Sequence, residues 1–152
     1  MAEIYSLVYK PADENAPDHY TRVPLKEAHL VKGHGIEGDL SGRPRRQLNV
    51  NSFETIKALG DEGFKAKPGE LGEQIVIRGL DVNTLPTGTR LQLGADAMIE
   101  VQKPRTGCER FEAIQGRPPT DAKGRLGVMA RVVHTGIVQV GDPVTVLEAV
   151  AG

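Results

Sequence analysis

Scarcity is the first thing this chain shows. One cysteine in 152 residues rules out an intrachain disulfide. No Cys-x-x-Cys pair exists, and His19, His29, His34 and His134 are too scattered to form a paired-histidine motif, so a structural zinc site is not expected. Long apolar runs are missing as well, which excludes a membrane-spanning helix. The opening Met1-Ala2-Glu3-Ile4-Tyr5 lacks the basic and apolar regions of a signal peptide, and the expected location is the reduced cytoplasm. Nor does one sign of charge dominate. Nineteen basic against twenty acidic residues leave a formal net charge of −1. No global field is available to hold a nucleic-acid backbone or a membrane surface, and any anion site must be local. The length suits one domain spanning 1–152.

Glycine and proline are plentiful, eighteen and ten, and they cut the sequence into pieces that seldom exceed eight residues. That cadence predicts many short strands and few helices. Alternation of period two is clearest at Ile75–Ile77, Leu91–Leu93 and Ile99–Val101, and it continues through Val128–Val132 and Ile137–Val140. Gly141-Asp142-Pro143 then marks a turn before Val144–Leu147, and Ile4–Tyr9 reads as a further strand. One helix is expected over Ser52–Leu59, with Asn51 and Glu54 as a capping box and Gly60 as the stop. A second is expected to start at Cys108, where Cys108, Phe111 and Ile114 share a face, and to stop at Gly116. Lys10–Thr21 reads as a surface loop. The expected fold is mainly β: a closed or nearly closed mixed β-barrel of short strands with a few short helices.

Chemistry is expected first at Cys108, in Lys103-Pro104-Arg105-Thr106-Gly107-Cys108-Glu109-Arg110. Neighbouring cations and a helix start both favour thiolate, the form that ligates metals and attacks electrophiles. The plainer alternative is a small buried apolar residue. Gly33-His34-Gly35-Ile36-Glu37-Gly38 matches a dinucleotide-binding fingerprint in letters, but the flanking residues provide neither a buried strand before it nor a helix after it. A tight turn or a ligand loop, with Asp39 as turn cap, fits better. Gly42-Arg43-Pro44-Arg45-Arg46 concentrates guanidinium groups suited to phosphate, and Arg46, which leads into Leu48 and Val50, is its strongest candidate. Pro68-Gly69-Glu70-Leu71-Gly72-Glu73-Gln74 is a second glycine loop, able to offer backbone N–H groups, a carboxylate and an amide. Ser41 and Ser52 lack the elbow of a serine nucleophile, and His134 reads as a strand-end residue.

The order of these segments resembles the MOSC domain family, named after the C-terminal part of molybdenum cofactor sulfurase. Carrying the resemblance are Gly35-Ile36-Glu37-Gly38-Asp39, Pro68 to Gln74, Gly79-Leu80-Asp81-Val82, Leu91-Gln92-Leu93-Gly94, Pro104 to Cys108, Gly116-Arg117-Pro118, Ala130-Arg131-Val132 and Gly136 to Asp142. The resemblance implies a β-barrel-like fold and a pocket for the molybdenum-pterin cofactor. Cys108 would be the molybdenum ligand or a sulfur carrier, Arg105 the cation beside it, and Gly72, Glu73 and Gln74 the border of the pterin; Asp39 and Arg46 complete the candidate cofactor-binding set. Thiolate softness and guanidinium geometry agree with such a cofactor. This chain has Gln74 where the family often has Asn, and Leu40 and Ser41 where it frequently has a basic residue and a histidine; Arg43, Arg45 and Arg46 are the candidates to compensate. The implied activity is reduction of N-hydroxylated small molecules with electrons from a partner reductase, or sulfur transfer from a sulfur-donor protein. A non-catalytic carrier or adaptor for the cofactor or another anionic ligand is the alternative. Pyridoxal phosphate belongs to larger family members, and no lysine context here resembles a Schiff-base site.

Overall fold

The structure is a computed structural model that describes residues 2–11, 22–39, 47–67, 69–106 and 109–147. In chain order the strands are β1 (Glu3–Tyr9), β2 (Val23–Leu25), β3 (Glu27–Val31), β4 (Gly35–Ile36), β5 (Leu48–Ser52), β6 (Ile75–Arg78), β7 (Arg90–Leu93), β8 (Ala97–Pro104), β9 (Val128–His134), β10 (Gly136–Gln139) and β11 (Val144–Leu147). Helices α1 (Phe53–Asp61) and α2 (Glu109–Gln115) and two 3-10 turns, Val82–Thr84 and Pro119–Ala122, complete the described elements. The chain is mainly β, as its glycine and proline punctuation predicts.

Eight strands form one sheet in the order β11-β7-β8-β9-β5-β6-β1-β2, and β10-β3-β4 form a second. Pairing is antiparallel except between β5 and β6, where Val50 faces Ile75 in parallel register. Alternation sorts the side chains. Leu48, Val50, Ile75, Ile77, Leu91, Leu93, Ile99 and Val101 point into the principal core, while Val76 points the other way, into a smaller cluster with Ile56, Leu59, Leu71 and Phe111. Strand β6 is therefore apolar on both faces, as befits a strand covered on both sides.

Both sheets are open, so of the expected closed or nearly closed barrel the closed form is not found. Strand β1 meets the chain leading into β11 at one isolated antiparallel bridge, Glu3–Pro143, flanked by Ile4 N donating to Asp142 O, Gly141 N to Ile4 O and Val144 N to Ala2 O. Pro143 has no N–H to extend a ladder. The expected capping box is absent too. Ser52, not Asn51, precedes the helix, and it makes no side-chain capping bond. Its hydroxyl donates to Leu80 O and accepts from Val82 N, and Glu54 accepts from Gly79 N. These side chains tie α1 to the loop after β6, and α1 runs past Gly60 to Asp61. In α2, Phe111 is fully buried; Gly116 follows with φ +68°. Of the fingerprint-like glycines, Gly33 and Gly35 lie in the β3–β4 hairpin and Gly38 in the turn after it, all three at positive φ. Most of the expected loop 10–21 lies outside the described residues.

Candidate functional site

Strand β5 carries a polar face where a buried strand would ordinarily be apolar. Leu48 and Val50 enter the core, so Asn49 and Asn51 project from the opposite side of the strand. Residues 69–74 run over this face on their way into β6. Asn49 Nδ2 donates to Gly72 O at 3.1 Å, and the backbones join through Gln74 N to Asn49 O at 2.9 Å.

Gln74 is the hub. Its Oε1 accepts from Asn49 N at 2.6 Å and its Nε2 donates to Asp39 Oδ2 at 2.9 Å. Asp39 Oδ1 in turn accepts from Lys10 N at 2.8 Å. One carboxylate and one amide thereby join the end of β1, the turn three residues past β4, and the starts of β5 and β6. Asp39 and Gln74 are 2% and 3% exposed, and buried polar groups at that depth persist only when hydrogen-bonded.

Arg105 follows β8 and is 6% exposed. Its Nη1 donates to Leu71 O at 2.6 Å, and a Cβ at Gly72 would stand 2.1 Å from its Nη2. Gly72 has φ +88°, a conformation open to glycine at no steric cost. The guanidinium thus occupies the space that a side chain at 72 would need and pins the loop from the β8 side.

Glu73 takes another direction. Its Oε1 accepts from Gly69 N at 2.5 Å, and it lines a cavity of about 310 Å³ with Tyr5, Phe53, Ile56, Lys57 and Val76. It buttresses the glycine loop from the α1 side. Of the residues expected from sequence, the structure brings Asp39, Gly72, Gln74 and Arg105 into one connected region and sets Glu73 behind the loop; Cys108 and Arg46 lie outside the described residues, as do Arg43 and Arg45. Sequence reasoning missed Asn49. Its signal was two asparagines alternating with core residues inside a strand.

A buried carboxylate–amide pair suits the N–H and carbonyl edges of a pterin ring, and a buried guanidinium suits phosphate, so the donor set fits the molybdenum cofactor in kind. Asp39 and Gln74 already hold structural partners, so in such a site they would serve as its floor. Among the described residues no group of three or more His, Cys, Asp or Glu could hold a metal ion. No described helix is long and apolar enough to cross a membrane.

The MOSC domain family model matches residues 37–145, a span that includes the Asp39–Gln74 pair and Arg105. The chain belongs to the MOSC domain family. A protein named reductase from Gibberella moniliformis (strain M3125 / FGSC 7600) is 28% identical over 151 residues, covering 96% of this chain and 26% of its own length. This MOSC domain therefore spans about a quarter of that curated relative. Among solved structures, the YuaD protein from Bacillus subtilis superposes with a TM-score of 0.77 at 22% identity, over 96% of both chains. YiiM from Geobacillus stearothermophilus gives 0.74 at 18% identity, over 97% of this chain and 76% of its own. YiiM from Escherichia coli gives 0.72 at 21% identity, over 99% and 72%. These likenesses concern the fold. MOSC domains are associated with molybdenum cofactor biology, and the domain resembles the C-terminal part of molybdenum cofactor sulfurase.

Proposed function

We propose that this chain acts in the cytoplasm as a single MOSC domain over 1–152. It binds the molybdenum cofactor and takes part in reducing N-hydroxylated small molecules. The carrying observation is the buried clamp in which Arg105, three positions before the only cysteine, fixes the Gly72 loop beside the Asp39–Gln74 pair. The likeness to a protein named reductase supports the reaction class.

In this reading Cys108 ligates molybdenum as a thiolate, favoured by the charge of Arg105. Arg46 and Arg105 neutralise the cofactor's phosphate, and Gly72, Gln74 and Asp39 present the backbone and polar floor under the pterin. When bound, the cofactor supplies two-electron redox chemistry for cleaving an N–O bond. The balance is one hydroxylamine, two electrons and two protons giving one amine and one water, with the electrons drawn from a partner reductase. The protein's own contribution is to bind, to orient and to keep the thiol ionised.

Elemental analysis of protein made in a cofactor-proficient host tests this reading. Molybdenum should copurify with the wild type and vanish in Cys108→Ala. Metal-free wild-type protein overturns it. Sulfur added at Cys108 after incubation with a cysteine desulfurase, seen by mass spectrometry without any molybdenum, would instead mark a sulfur carrier.

A further inference from the structure

We propose that the cavity between α1 and strands β1 and β6 is a second small-molecule site, shaped for a planar aromatic compound with an amino group at one end and an acidic group at the other. The cavity holds about 310 Å³, at the small end of the range for ligand pockets. Helix α1 supplies Phe53, Ile56 and Lys57, whose spacing of three and four residues sets them on one helix face. Tyr5 of β1 and Val76 of β6 stand opposite, and Glu73 enters from the back of the glycine loop. Asp39, Gln74 and Arg105 do not line it, so the site is separate from the floor proposed for the cofactor.

The lining changes character from floor to mouth. Ile56, Val76 and Glu73 are buried, whereas Tyr5 and Lys57 are exposed. In a chain with three Tyr, three Phe and no Trp, two of the rings meet at this cavity: Tyr5 and Phe53 have centroids 4.4 Å apart and planes tilted by 41°, an aromatic wall for a third ring to pack on. Among the described residues that line the cavity, Glu73 and Lys57 are the charged ones. Arg78 lies over the Tyr5 ring at 5.8 Å, but it is paired with Glu3, which leaves Lys57 as the cation at the mouth. The two oxygens of a carboxylate offer about four acceptor sites, so the bond from Gly69 N to Glu73 Oε1 is compatible with a ligand N–H. A buried carboxylate prefers a charged donor, and the opposite orientation would set two carboxylates face to face. The amino group therefore points inward to Glu73 and the acidic group outward to Lys57.

The test is independent of the cofactor and needs no molybdenum. NMR titration of the full chain with para-aminomethylbenzoate, benzylamine and benzoate measures affinity and locates the ligand through the amide signals that move. The zwitterion should saturate one site, with the largest shifts around Phe53, Lys57 and Glu73. It should bind about tenfold more tightly than benzoate, which brings no ammonium to the buried Glu73, and about threefold more tightly than benzylamine, which brings no carboxylate to the exposed Lys57. Lys57→Ala should abolish the preference over benzylamine, and Glu73→Gln, of nearly the same shape, the preference over benzoate. Should Glu73→Gln fail to fold, Lys57→Ala at its exposed position decides alone. Failure of the zwitterion to saturate the wild type by about 10 mM, shifts centred elsewhere, or a preference over benzylamine that survives Lys57→Ala overturns the proposal.

Discussion

Gln74 Nε2 donates to Asp39 Oδ2 over 2.9 Å, joining two side chains that stand 35 residues apart in the chain. The same amide accepts from Asn49 N, so one side chain ties three segments beneath the glycine loop. Gln74→Ala leaves a buried carboxylate short of a donor and a buried N–H short of an acceptor. Each such loss costs about 1–3 kcal/mol, and urea unfolding should show a destabilisation of about 3 kcal/mol. A change below about 0.5 kcal/mol would mean that water replaces the amide.

Alanine at Gly72 and at Gly127 should separate a movable obstacle from an immovable one. At Gly72 the obstructing atoms belong to the Arg105 side chain; at Gly127 they belong to the Val50 backbone. Both positions have positive φ, a strain of about 1 kcal/mol or more for alanine. Gly127→Ala should be the worse in thermal unfolding, with Tm falling further than in Gly72→Ala. Gly72→Ala should fold, yet bind less molybdenum because Arg105 is displaced from Leu71 O.

Ser52 offers a third test. Its hydroxyl donates to Leu80 O and accepts from Val82 N, and the residue is fully buried. Ser52→Ala should cost about 2 kcal/mol by orphaning both backbone groups, whereas Ser52→Thr, which retains a hydroxyl, should lose less. Chemical denaturation of the two variants provides the comparison.

Glu100 should give the fold a dependence on acid. Burial pushes its carboxyl up, but hydrogen bonds from Arg90 and Arg131 outweigh that and hold it below the usual carboxylate range. A depressed folded value means that the stabilisation is present above the unfolded value of about 4.3 and is lost as pH falls through the folded value. The stability gap between wild type and Glu100→Gln should therefore be steady above about pH 5 and close as the pH drops toward 3. Both arginines are partly exposed, so the gap should stay within about 1 kcal/mol and shrink with added salt. A gap that widened in acid would contradict this origin.

The sequence by itself determined the local order of the chain. Alternation at Ile75–Ile77, Leu91–Leu93 and Ile99–Val101 marked strands because side-chain direction repeats every two residues regardless of what lies across the sheet. The glycines marked turns and loops because glycine alone adopts positive φ at no steric cost. It also made Asp39, Gly72, Gln74 and Arg105 candidates, by composition and by resemblance to the MOSC family. Only the tertiary structure decided how they meet: parallel pairing of β5 with β6 sets Asn49 against Gln74, and the long reach of Arg105 brings β8 to the Gly72 loop. Tertiary contacts also took Asn51 and Glu54 away from the expected capping box, to Arg125, Asn83 and Gly79, and turned Glu73 toward α1. The large sheet stayed open, with Pro143 at its one bridge. Each outcome depends on partners far off in sequence, and a buried polar group takes whichever partner the packing brings within hydrogen-bond distance.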